Sequence, residues 1–140
     1  MNGKPFFDTN LIIYAFREDD PRCEVARVLL ATGGVISVQV LNELVAVLRR
    51  KLNFHWDDVL AAVDAVRTLC PTIVPITAAT HEAALKIAVR YGYQIYDALI
   101  IAAAIEAKSK TLYSEDMQDG QEIEGTTICN PFIKSSRASS

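Results

Sequence analysis

Histidine, cysteine and long apolar runs are all scarce in this chain of 140 residues, and each scarcity removes a class of function. The three cysteines, Cys23, Cys70 and Cys129, are odd in number with no close pair, so neither a disulfide framework nor a thiolate zinc site is expected. A reducing, cytoplasmic setting follows from that usage. The two histidines, His55 and His81, stand alone, which leaves them surface or helix-capping roles and offers no well-placed histidine base. The longest apolar run in the C-terminal half, ALIIAAAI at 98–105, is far short of the roughly 20 residues that cross a bilayer. The N-terminal stretch has one Lys and then an apolar run broken by Asp8, with no small-residue cleavage site, so no signal peptide is expected. Internal repeats, linkers and hairpin signals are also missing.

What is present is a chain 51% hydrophobic and 22% charged, which points to a globular α/β protein with an apolar sheet and apolar helix faces. Its length suits one domain, placed at 1–133, followed by a polar tail at 134–140 that is expected to be disordered. A net charge of -3 argues mildly against a polyanionic partner. The basic residues Arg49, Arg50, Lys51, Arg67, Lys86, Arg90, Lys108 and Lys110 qualify that reading. If bound cations neutralise several acids, such residues become the working charge of one face.

Strand and helix signals alternate. KPFFD reads as a buried strand and NLIIYAF as an apolar helix; DDPRCEVARVLLAT opens with Asp20 as cap and Pro21 in the first turn. VIS is a second strand, and Ser37 caps a helix in which Val38, Leu41, Val45, Leu48 and Leu52 recur at helical spacing. WDDVLAAVDAVRTL is a further helix, TIVPI a third strand, and Thr77 and Gly92 bracket another helix. The alanine-rich YDALIIAAAIEAKS, the strand TLYS, the polar loop EDMQDG and a short fifth strand at TTI complete the series. This alternation predicts a parallel sheet covered by helices on both sides.

In such a sheet, ligands bind outside the carboxyl ends of the strands. Asp8 closes the first strand and Asp116 follows the fourth by two residues, so both belong to that edge. Glu43 interrupts the apolar stretch VLNELVAV, and Asp97 precedes a wholly apolar run. Each acid alone has an ordinary reading: Asp97 as a helix cap, Asp116 as a turn residue, Glu43 as a solvent-facing neighbour of Arg50. Asp8, directly after PFF, has the weakest ordinary reading, because a carboxylate at the end of a core strand needs a partner. Carboxylates about 4 Å apart repel by on the order of 4 kcal/mol per pair at an effective dielectric of 20. A hard divalent cation, Mg2+ or Mn2+, reverses that sign, and all-oxygen ligation selects it over zinc. Such an ion activates water for attack on a phosphodiester. Thr9, Asn10 and Ser114 are placed to hydrogen-bond the strand-end carboxylate.

These segments, FFDTNLIIYAF, SVQVLNELVAVLRR, YDALIIAAAIEA and LYSEDMQDG in that order, resemble the PIN-domain nucleases, in particular the VapC-type toxins of bacterial toxin-antitoxin systems. The resemblance implies a three-layer α/β/α fold with five parallel strands in the order 3-2-1-4-5, and Mg2+- or Mn2+-dependent endoribonuclease activity. It assigns catalytic and metal-binding roles to Asp8, Glu43, Asp97 and Asp116, and supporting roles to Asn10, Ser114 and Asp119. Gly120 departs from the aromatic residue common after the last acid, which bears on Asp119. The family also implies an RNA substrate, a cognate antitoxin lying across the groove, and a homodimer. The alternative is an inactive RNA-binding or regulatory module on the same fold. A phosphatase with Asp8 as nucleophile is disfavoured because Asn10 stands where its second acid belongs. A receiver domain is disfavoured because Pro75, Ile76 and Thr77 end the third strand, where an acceptor Asp belongs.

Overall fold

The computed structural model describes residues 3–133. The tail at 134–140 lies outside the described residues. The first strand, β1, is only Phe6–Phe7, and both rings are fully buried. Burial of a side chain of that size is worth roughly 1.5–3 kcal/mol, so two residues suffice to anchor the strand. Asp8 then turns the chain directly into helix α1 (Thr9–Tyr14). Helix α2 (Arg22–Ala31) begins after Pro21, and the Asp20 carboxylate accepts the Arg22 backbone N–H at 2.9 Å. Strand β2 (Val35–Ser37) leads into α3 (Val38–Arg50), whose Val40 N–H is taken by Ser37 Oγ as expected.

Helix α4 (Trp56–Leu69) and the short β3 (Thr72–Val74) follow. Helix α5 (Ala78–Tyr91) carries a capping box between Thr77 and Thr80 and ends on Gly92 at φ 80°. Helix α6 (Ile95–Glu106) buries every residue from Ala98 to Ala104. A helix apolar all round has to be enclosed, and α6 packs against α5, α3 and β2. Beyond it come β4 (Thr111–Tyr113), β5 (Glu122–Ile123), β6 (Thr126–Cys129) and a 3-10 turn at Pro131–Ile133.

The sheet order is β3-β2-β1-β4-β6-β5. Its first five members are parallel and reproduce the expected 3-2-1-4-5 arrangement, with TTI supplying the fifth position as β6. The sixth member was not foreseen from the sequence: β5 pairs antiparallel with β6 at the edge. It lies in a polar stretch, QEIEG, and turns through Glu124 at φ 49° and Gly125 at φ 91°. Two successive left-handed residues are what a two-residue hairpin turn requires, and Glu in the first is an uncommon choice. Hairpin pairing therefore occurs where no Asn-Gly or Asp-Gly announced it.

Strand β1 sits between β2 and β4, with Phe6 in register with both Val35 and Leu112. Gly34 makes the β2 side of this contact possible. A Cβ there would lie 2.4 Å from the Phe7 ring and 2.8 Å from the Pro5 carbonyl oxygen. The close approach of the two strands fixes Phe7, and with it the next residue, Asp8. Among the described residues no helix is long and apolar enough to cross a membrane.

Candidate active site

Asp8 has two structural duties before any chemistry is considered. It ends β1 in extended backbone and it N-caps α1, its Oδ1 accepting the Thr9 N–H at 2.6 Å. Its own N–H is bonded to the Tyr113 carbonyl at 3.0 Å, which fixes the turn against β4. The second oxygen, Oδ2, accepts from Ser114 Oγ at 2.8 Å. Only 4% of Asp8 is exposed, and burial pushes its carboxyl up to about 7. The Ser114 and Thr9 hydrogen bonds oppose that rise, and the charges of Asp97 and Glu43 add to it.

Glu43 reaches the same place from α3. Its Oε1 accepts from Thr9 Oγ1 at 2.7 Å and its Oε2 from Gln39 Nε2 at 2.9 Å. Asp97 stands in the first turn of α6, two residues inside its start; the N-cap position belongs to Gln94, so capping does not account for the acid. Burial raises the Asp97 carboxyl, the Gln94 side chain lowers it, and Glu43 and Asp116 raise it further. Asp116, in the loop after β4, is exposed and accepts from Asn10 Nδ2, which ties that loop to α1.

The four acids expected from the sequence all line one cleft of about 280 Å³, together with Thr9, Asn10, Gln94, Tyr96 and the aliphatic Ala46 and Val47. No Lys, Arg or His is among its lining residues. Ser114 meets the expectation that it supports Asp8. Thr9 serves Asp8 through its backbone and Glu43 through its hydroxyl, and the Asn10 amide bonds Asp116 rather than Asp8. Asp119 is not part of the lining; its Oδ1 accepts the Asn130 N–H at 2.8 Å, which fastens the chain beyond β6.

Two supporting groups were missed in the sequence. Gln39 precedes Glu43 by one helical turn, and that spacing alone signals an amide-carboxylate pair on a helix face. The other is a clamp on the residue before Asp116. Glu115 accepts from Tyr14 Oη at 2.5 Å and from Arg22 Nη1 at 2.8 Å. Arg22 also holds Asp20 through two bonds and lies 4.0 Å above the Tyr14 ring. Partners 93 and 101 residues apart leave no trace in local spacing.

The donor set is all oxygen, with four carboxylates, an Asn amide and a Thr hydroxyl, which fits a hard divalent cation and not zinc. Burial first, and the charges of neighbouring acids after it, raise the Asp8 and Asp97 carboxyls, and a cation bound among them would offset both effects. Among the described residues no group of three or more His, Cys, Asp or Glu side chains stands ready-made to hold a metal. Hydrogen bonds from Thr9, Ser114, Gln39 and Asn10 occupy the carboxylate oxygens instead.

Comparison with known proteins gives a consistent picture. The family profile described as the PIN domain matches residues 6–118. The Mycobacterium tuberculosis toxin VapC20, described as cleaving the sarcin-ricin loop, is 26% identical and superposes with a TM-score of 0.67, over 80% of this chain and 89% of that one. A toxin-antitoxin complex from Klebsiella pneumoniae contains a chain of 21% identity and TM-score 0.69, with 91% and 97% covered. FitAcB from Neisseria gonorrhoeae gives 20% and 0.67, with 91% and 98% covered. Comparison with curated protein sequences returned no match.

Proposed function

Since the chain belongs to the PIN-domain family, a family of nucleases, we propose that it is a metal-dependent endoribonuclease and the toxin of a toxin-antitoxin pair. The observation that carries this reading is the convergence of Asp8, Glu43, Asp97 and Asp116, from four separate segments, on a cleft whose lining contains no cationic side chain. These four residues would hold the ion. A bound Mg2+ or Mn2+ supplies the charge that polarises a phosphodiester and makes a water nucleophilic. Thr9 and Ser114 orient the Asp8 carboxylate, Thr9 and Gln39 orient Glu43, and Asn10 orients Asp116. The RNA backbone is gripped outside the acids. Arg50 follows Glu43 by seven residues, about 10 Å along α3, on the stripe that includes the cleft residues Ala46 and Val47.

The toxin-antitoxin complexes among the matching structures support an antitoxin partner, and a homodimer is proposed with it. An antitoxin segment lying across the cleft is expected to block cleavage. The second reading, a non-cleaving RNA-binding module, draws on the lack of a ready-made metal-holding group among the described residues. Incubation of the protein with labelled RNA, with Mn2+ and with EDTA, separates the two. Cleavage in Mn2+ that EDTA abolishes, and that Asp8→Asn reduces to background while the variant stays folded, is the expected result. Full metal-dependent activity in Asp8→Asn contradicts the assignment of Asp8.

A further inference from the structure

Tyr96 is 55% exposed and lines the acidic cleft directly beside Asp97, in the first turn of α6. A large aromatic surface left open to water is unexplained by the core, because α6 buries its apolar residues from Ala98 onward. Among the described residues its ring pairs with no other aromatic ring or cation, and its hydroxyl has no hydrogen-bond partner. The cleft it lines carries four carboxylates and no cationic side chain, so a ring there does not attract an anionic group by itself. A flat, partly apolar ring next to a phosphodiester-cleaving centre does suit the face of a nucleobase. An aromatic platform accepts a base only if that base is unstacked from its neighbours, which duplex RNA does not offer. Resting on the nuclease reading above, we propose that Tyr96 is a substrate-positioning residue that stacks an unpaired base next to the scissile phosphate.

The test compares wild type, Tyr96→Ala and Tyr96→Phe on one labelled RNA sequence, single-stranded and annealed as a duplex. Binding is read by fluorescence anisotropy with Ca2+ in place of Mn2+, and cleavage separately in Mn2+. Tyr96→Ala is expected to weaken single-strand binding about tenfold, raise KM by a similar factor with little change in kcat, and erase the preference over duplex. Tyr96→Phe retains the ring and is expected to recover most of that loss. Equal single-strand binding and KM in wild type and Tyr96→Ala, or an equal loss on duplex, overturns the platform and leaves the nuclease reading intact. Tyr96-dependent single-strand binding with no cleavage by wild type leaves the platform standing and overturns the nuclease reading. Absence of both binding and cleavage overturns both.

Discussion

At the scale of single residues, Asp8 reconciles two demands, because the carboxylate that caps α1 is also the most deeply buried acid of the cleft. Its folded carboxyl titrates near 7 against an ordinary value of 3.8. The folded chain therefore holds this proton more tightly than the unfolded one, and stability is lost as pH rises from about 4 to about 7. At roughly 1.4 kcal/mol per pH unit, ionised Asp8 costs the metal-free fold on the order of 4 kcal/mol. Asn also caps helices well. In EDTA, Asp8→Asn is accordingly expected to melt above wild type, by a margin that grows between pH 4 and 7 and is constant beyond. A melting-temperature series across that range checks it; a margin that shrinks with rising pH contradicts the assignment. Asp8, Glu43 and Asp97 were legible in the sequence because each breaks an apolar run, and Asp116 because it follows a strand end. The partners of each oxygen were not legible. Whether the Asn10 amide meets Asp8 or Asp116 depends on how far α1 rotates against the β4 loop, a tertiary quantity with no local signature.

At the scale of elements, the site depends on the position of a two-residue strand. Gly34 lets β2 approach β1 closely, and Gly34→Ala would drive a methyl group into Phe7 and the Pro5 carbonyl. A cost of about 1–3 kcal/mol is expected from such overpacking, read as a fall in melting temperature, with loss of RNA cleavage at temperatures where the chain is still folded. Full activity with an unchanged melting temperature would show that β1 does not need this contact. Helix α3 carries Glu43 and Arg50 on one stripe. Arg50→Ala is expected to raise KM several-fold at constant kcat, and to lower the slope of log binding against log salt by about 0.7, the value for one phosphate contact on a single strand. An unchanged slope places the backbone grip elsewhere. Parallel strands and their helices were readable because period, caps and breakers agreed. Strand β5 was not, since two residues in a polar stretch carry no period and their pairing with β6 is set by the Glu124-Gly125 turn.

At the scale of the whole molecule, a net charge of -3 is compatible with an RNA partner if acids are gathered in one cleft and neutralised there. The sheet does the gathering: β1 lies between β2 and β4, so the segments that follow each of the three strands deliver Asp8, Glu43 and Asp116 to one edge, and α6 adds Asp97 beside them. On the proposed reading, these carboxylates crowd because a divalent ion makes their crowding favourable. Anomalous scattering from crystals of the wild-type protein soaked in Mn2+ tests it most directly. A manganese peak is expected within coordination distance of Asp8 and at least one of Glu43, Asp97 and Asp116, and is expected to be absent from Asp8→Asn crystals treated alike. A cleft without a peak, in crystals that bind manganese at other carboxylates, would contradict it.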